Sequence, residues 1–312
     1  MQAMVARHYL DGGNYPVDGA ESIAAAIVPV IERNGGTVIF NAGADEILIC
    51  HGQACDVRLE NGDEIEASLV ISSVGVVNTF GRFLRNYQKE LGGQAKLAQV
   101  QPSSGHFCLH IGIKESAQAL GLNKTNLWVS PGYNHDENAE NFLSNQCNDF
   151  PVVFISFPSI KDPSWEILHP GTSTIEAITM ANSSWFDKWK DLPWKRQGQE
   201  YKDYKGNISS RLLEVIYQYV PAIKGKVDYY ELSTPLSTRD MANYSTGELY
   251  GIDHTTSRFQ LRWLTPDTPV KKLFLTGQDI LTVGVTSSLM SGLLTCSAIL
   301  TEFGKRYDSR EV

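Results

Sequence analysis

Residues 272–300 hold the strongest chemical signal in this sequence. The apolar run at Leu273–Leu275 predicts a buried strand, and Gly277 and Gly284 give the backbone freedom where the chain leaves it. A helix is expected from about Thr286. Thr286, Ser287 and Ser288 in its first turn favour a helix start, and the N–H groups of that turn face whatever lies beyond the strand tip. Such an end suits an anion or a polarised carbonyl. Asp279 is the only charge from Phe274 to Thr301 and sits just past the strand. Further on, Ser288, Gly292 and Cys296 recur every fourth residue, giving the helix a small-sided face that something can approach closely.

Other candidate chemistry is weaker. Alternation through Gly105–Ile113 puts His106, Cys108 and His110 on one face of a strand, a trio that could ligate a metal. With no carboxylate or further histidine at ligand spacing, no metal is expected. No Ser/His/Asp nucleophile arrangement can be read from the residue order. The uncharged run from Ile280 to Thr301 is broken by Gly284 and several Thr and Ser, so it reads as a buried strand–turn–helix rather than a membrane span.

The elements that must position these residues follow from periodicity. A glycine-rich turn precedes a helix from about Glu21, with Ile23, Ile27, Val30 and Ile31 at helical spacing and Asn34-Gly35-Gly36 as its stop. Strands are expected at 37–40, 46–50 and 69–72, with a hairpin pairing 54–59 to 64–67 across Asn61-Gly62. Further strands are expected at 105–113, 151–159 and 174–181, the last followed by a helix containing Trp185, Phe186 and Trp189. Residues 134–148 read as an exposed polar loop, and an amphipathic helix over 214–220 ends at Pro221.

Composition narrows the class. The chain has 312 residues, 42% hydrophobic and 20% charged, enough for a sizeable core and two domains. A net charge of −8 without a basic stripe argues against nucleic acid as a partner. Cysteines at 50, 55, 108, 147 and 296 form neither a disulfide framework nor a CxxC metal pair, so a reducing interior is expected. Residues 1–10 lack the continuous apolar stretch of a secretory signal.

A resemblance sharpens this reading. Leu275-Thr-Gly-Gln-Asp-Ile280, then Gly284, a small-residue turn and a Leu/Met-rich helix, resembles the C-terminal flavin-contacting segment of the phytoene desaturase and retinol saturase group of FAD-dependent oxidoreductases. The resemblance implies that Gly277 and Asp279 lie at the ribityl or pyrophosphate part of FAD. It also implies that backbone N–H groups around Val285, Thr286 and Ser287 face the flavin's pyrimidine end. The helix, strand, hairpin and strand near the start are similar to the group's middle portion, which places the backbone of Ala44 at adenine, where the family has valine. Ser72 and Ser73 then lie beside the adenosine. Tyr15, Pro16 and Gly19 form a turn near the substrate side of the flavin, with Asp18 in place of the first glycine of Pro-x-Gly-Gly; a positive φ there costs Asp little.

The middle carries Phe157-Pro-Ser-Ile-Lys-Asp-Pro163, Ser184-Trp-Phe186 with Trp189, Pro193-Trp-Lys195, Gly225-Lys-Val-Asp228, Thr234-Pro-Leu236 and Tyr250-Gly-Ile-Asp-His254 with Arg258, an order similar to retinol saturases. The expectation is an α/β fold: an incomplete Rossmann-like FAD-binding domain, its N-terminal βαβ unit missing, with a mixed or antiparallel-sheet substrate domain. Residues 1–20 would be the substrate-side turn region, 21–75 and 265–312 parts of the FAD-binding domain, and 76–264 the substrate domain. No G-x-G-x-x-G follows a predicted strand, so the chain reads as a C-terminal portion lacking roughly 150 to 250 residues by typical domain size.

The implied chemistry is hydride transfer at flavin N5 on an apolar polyene such as a carotenoid or retinoid, with NAD or NADP as electron donor if it runs as a reductase. Tyr15, Tyr244, Tyr250 and His254 are the substrate-pocket candidates; Trp128, Trp165, Trp185 and Trp263 are further aromatics that could line the pocket, with core packing the favoured reading of each. No catalytic acid or base is identified. A separately made N-terminal half would complete the groove. The alternative is a non-catalytic remnant or partner-binding subunit unable to bind FAD alone. Cytoplasmic placement or peripheral membrane contact fits an apolar substrate.

Overall fold

The structure, a computed structural model, describes residue 10 and residues 12–308, side chains after residue 301 excepted. The reading of residues 1–9 and of Asp11 lies outside the described residues. In chain order the main elements are helix α1 (Glu21–Arg33), strands β1 (Ala44–Cys50), β2 (Gln53–Leu59), β3 (Glu64–Glu66), β4 (Val70–Ser72) and β5 (Gly105–Ile113). They continue with β6 (Leu127–Val129), α2 (His135–Ser144), β7 (Val153–Ser156), β8 (Ser173–Ala181), α3 (Gly198–Tyr219), β9 (Val227–Ser233), α4 (Pro235–Ala242), β10 (Leu273–Leu275) and α5 (Val285–Asp308). Two compact units emerge. The first takes residues up to 39, 106–181 and 188–234; the second takes 40–105, 182–187 and 235–312. These limits fall elsewhere than the segments 21–75, 76–264 and 265–312, since α1 groups with the first unit and residues 76–105 and 235–264 with the second.

The second unit is built on two small sheets. β1 and β2 pair antiparallel and β3 extends them across the Asn61-Gly62 turn, as expected for this hairpin. Gly62 adopts φ 92° there, a value an L side chain resists. Cys50 and Cys55 form a disulfide across the tight end of β1 and β2, which corrects the expectation of unpaired thiols. β4 and β10 pair in parallel, Leu273 opposite Val70 and Leu275 opposite Ser72, although some two hundred residues separate them. Val70, Phe80, Phe83, Leu84, Ile252, Val270, Leu273 and Leu275 pack into one buried cluster with Ile47 and Ala54. Each large side chain taken out of water there contributes about 1.5–3 kcal/mol.

The first unit carries a five-stranded sheet in the order β6-β7-β8-β5-β9. Every second residue of β8 is buried and the others are half-buried, so the sheet has one packed and one open face. Ile208, Leu212 and Ile216, four residues apart along α3, supply a buried helical stripe.

Three expectations fail. Residues 134–148 are not a loop but contain α2, because Asn134 accepts the Glu137 N–H at the helix start and Phe142 is fully buried. Residues 37–40 form no strand, and Ile39 and Phe40 stand exposed with no ladder partner among the described residues. The helix expected around Trp185 is a single turn, Ser183–Phe186, capped by Asn182 Oδ1.

Candidate functional site

The carboxyl ends of β4 and β10 lie side by side. Thr276 N–H donates to the Ser72 carbonyl at 2.9 Å, so the segments leaving the two strands, Ser73 to Val76 and Gly277 to Asp279, diverge from one point. A crevice outside the carboxyl ends of parallel strands is where open α/β sheets bind ligands. Gly277 has φ 96°, and a Cβ there would sit 3.5 Å from the Ser73 carbonyl oxygen.

Asp279 is 3% exposed and fully engaged by backbone. Its Oδ2 accepts the Val76 N–H at 2.8 Å and its Oδ1 accepts the Ile252 N–H at 3.1 Å. The glycines beside it make this approach geometrically available. A Cβ at Gly75 would meet Oδ2 at 2.9 Å, and one at Gly251 would meet Oδ1 at 2.3 Å. The carboxylate thus joins three segments that are remote in sequence: the turn after β4, the 251–252 loop and the turn after β10.

Behind Asp279 stands Arg258, 3% exposed, which the sequence offered only as part of a motif. Its guanidinium donates to the carbonyls of Ile252 at 3.0 Å, Gln278 at 2.8 Å and Asp279 at 2.9 Å. Nε has no protein partner and borders a small cavity of about 170 Å³ lined by Gln99, Gln101, Asp253 and Ser257. His254 packs at 3.0 Å or less from Nη1, and its Nε2 accepts the Val283 N–H at 3.1 Å. Burial, and after it the Arg258 charge, hold the His254 pKa below its ordinary value.

The helix start then opens outward. Gly284 (φ 96°) turns the chain into α5, Thr282 Oγ1 and Ser287 Oγ share a 2.6 Å hydrogen bond, and Val285 and Thr286 are exposed. No side chain among the described residues caps the N–H groups of Val285 and Thr286. The small-sided face of Ser288, Gly292 and Cys296 is open at Gly292, where nothing lies within 4 Å of a Cβ built on it, and another face of α5 packs on the strand. Ser291 and Thr295 make the seam instead: Ser291 Oγ accepts the Gly277 N–H at 2.7 Å, and Thr295 Oγ1 donates to the Leu275 carbonyl at 2.8 Å.

The structure therefore links Ser72, Ser73, Gly277, Asp279, His254 and the helix start at Val285, Thr286 and Ser287. Tyr244 joins them, its hydroxyl accepting from Gln278 Nε2 at 2.5 Å, while burial raises its pKa. Ser72 Oγ is turned inward to Thr79 Oγ1 at 2.8 Å, whereas Ser73 is exposed. Tyr250 is 45% exposed and its N–H is held by Ser103 Oγ. Ala44 begins β1, paired with Leu59 and partly buried against the core, with no hydrogen bond to the Asp279 loops. Trp263 is engaged edge-on with Phe80, which favours its packing role.

Tyr15 belongs to the first unit, where its ring faces Lys161 and burial, with Glu176 and Asp162 after it, raises its pKa. Asp18 does adopt φ 66°, and its N–H donates to Asp162 Oδ1. On the same sheet His110 meets a carboxylate that sequence spacing did not reveal, Glu176 at 3.3 Å, since the pair lies across β5 and β8. Burial pushes the Cys108 thiol up to about 12.

No family model matches the chain. Pairwise comparison is decisive: over 312 residues it is 32% identical to the all-trans-retinol 13,14-reductase of Danio rerio, covering 96% of this chain and 51% of that one. The chain is a homologue of the retinol reductases and phytoene desaturases. A second Danio rerio protein, described as an inactive all-trans-retinol 13,14-reductase, is 31% identical over the same shares. The neurosporene-forming phytoene desaturase of Cereibacter sphaeroides is 27% identical, covering 85% of this chain and 49% of the relative. Among solved structures, an oxidoreductase from Methanosarcina mazei superposes with a TM-score of 0.56 at 16% identity, over 92% of this chain and 55% of that one, which shows the shared fold. The chain spans about half the length of the curated relatives it matches. Among the described residues no helix is long and apolar enough to cross a membrane.

Proposed function

We propose that this chain is the C-terminal portion of an FAD-dependent oxidoreductase acting on a retinoid or carotenoid polyene. The observation that carries the reading is the parallel pairing of β4 with β10, whose exit turn packs on α5 beside that helix's uncapped start, in a chain homologous to retinol reductases along nearly its whole length. The residues fit the cofactor. Gly277 and the exposed Ser73 leave room for close approach, and the N–H groups of Val285, Thr286 and Ser287 offer donors to a polarised carbonyl. Asp279 and Arg258 fix the loops in place before any ligand arrives. FAD would supply hydride acceptance or delivery, and NAD or NADP would serve as donor in the reducing direction. Tyr244, Tyr250 and His254 are assigned to the substrate side. His254, hydrogen-bonded to the Val283 N–H, orients the entry to α5.

The dinucleotide-binding βαβ polypeptide would cover faces that this chain leaves apolar and open: Ile71 on β4, and Leu289, Met290, Leu293 and Leu294 on α5, each 44–60% exposed. It would come from the same polypeptide or from a separate one. An apolar substrate also favours contact with a membrane surface. Co-expression with the N-terminal half of the Danio rerio reductase tests the reading. A co-purifying yellow complex with a flavin band that converts retinol or phytoene is expected. A colourless complex that takes up no FAD would leave the non-catalytic, partner-binding reading in its place.

A further inference from the structure

The first unit holds a second pocket with no part in the reading above. It measures about 560 Å³ and lies between the N-terminal half of α3 and β9, the edge strand of the five-stranded sheet. Along α3 the lining runs from Gly198 through Tyr201, Lys202 and Lys205 to Ser209, one helical face beginning at the first residue. The opposite wall is Tyr230, Glu231 and Leu232.

Three features make this wall a site for negative charge. First, α3 is 22 residues long and its start has no side-chain cap, so its leading N–H groups and the positive end of its dipole open at the pocket. Second, Gln197, which precedes the helix and lines the pocket, is only 6% exposed yet makes no side-chain hydrogen bond among the described residues. Its amide, held by no protein group, is open to the pocket and available to a ligand oxygen. Third, the charges do not cancel. Lys205 is paired with Glu231, but Lys195 and Lys202 make no ion pair among the described residues. The acids in the first turns of the helix look elsewhere, Glu200 to Lys188 and Asp203 to Gln199. At the rim, Trp194 and Tyr230 expose 39% and 43% of their surface, flat apolar area beside a cationic floor.

We propose that this pocket binds the phosphate of a soluble organic phosphate carrying a flat ring, with Gln197, the α3 start, Lys195 and Lys202 on the phosphate and Trp194 or Tyr230 against the ring. A backbone N–H cluster with two free ammonium groups fits a phosphate better than a carboxylate, which offers fewer acceptor oxygens. The test is calorimetric titration of the 312-residue protein with inorganic pyrophosphate and with adenosine diphosphate. One-to-one binding of both is expected, with quenching of tryptophan fluorescence by adenosine diphosphate alone.

Lys195→Gln and Lys202→Gln, both at exposed positions that do not threaten folding, are each expected to weaken pyrophosphate about tenfold or more, the loss of a charge-assisted hydrogen bond. Lys124→Gln, at an exposed site outside the pocket, is expected to bind as the unaltered protein does. Absence of saturable binding, an equal loss in Lys124→Gln, or binding undiminished in both Lys195→Gln and Lys202→Gln, which would put the phosphate at the β4–β10 loops of the other unit, would overturn the proposal.

Discussion

Asp279 and Arg258 show how one charge can be read from a sequence and another cannot. Asp279 stands out because nothing else charged occurs from Phe274 to Thr301, and an isolated acid in an apolar run needs a reason. The structure adds that both of its oxygens are taken by Val76 and Ile252 N–H groups, so it organises the loops at the ends of β4 and β10. Asp279→Ala is therefore expected to act twice. Stranding two buried N–H groups should cost about 1–3 kcal/mol each in denaturant unfolding, and flavin content of the reconstituted enzyme should fall. Flavin retained at wild-type level in a folded variant would remove Asp279 from the cofactor site. Arg258 was visible only as a motif residue, and its role was not, because its partners are carbonyl oxygens, which every residue carries and no spacing reveals. His254 gives a pH test. Its folded pKa lies below the ordinary value of 6.5, so the stability it contributes is full above that pH and is lost as pH falls through the folded pKa. Unfolding midpoints compared at pH 7.5 and pH 5 should show a smaller drop in His254→Asn than in the unaltered protein; equal drops would refute the assignment.

At the scale of elements, periodicity succeeded where burial is regular. β8 alternates cleanly, the hairpin turns at Asn61-Gly62, and the strand and helix of residues 273–308 lie where apolar spacing and the small-residue turn put them. It failed where a local cap outvoted composition. α2 looks like a polar loop, yet Asn134 and Glu137 hold each other across the first turn and Phe142 anchors the far side. Asn134→Ala should cost about 1 kcal/mol, read as a lower unfolding midpoint; no change would mean that Phe142 alone holds the helix. The disulfide between Cys50 and Cys55 was illegible for a different reason, since a pairing depends on which strands become neighbours, and only the register of β1 on β2 sets that.

For the whole chain, homology was legible in the order of many weak motifs, whereas the limits of the compact units were not. The two units interleave along the sequence, and composition does not change at each crossing. Open apolar area on the second unit is the clearest consequence: Leu289, Met290, Leu293, Leu294 and Leu300 on α5 all face outward. Replacing Leu289 and Leu293 together by Glu should abolish capture of the dinucleotide-binding half in co-purification while leaving the circular dichroism spectrum unchanged. Persistent capture would show that another face is used.

The parallel pairing of β4 with β10 also sets a timetable. Val76 must wait for Asp279, 203 positions downstream, before its N–H finds an acceptor. During synthesis the strand at Val70–Ser72 therefore stays without this neighbour until Leu273–Leu275 has left the ribosome. A break in synthesis before that point releases a chain in which β4 cannot zip against β10.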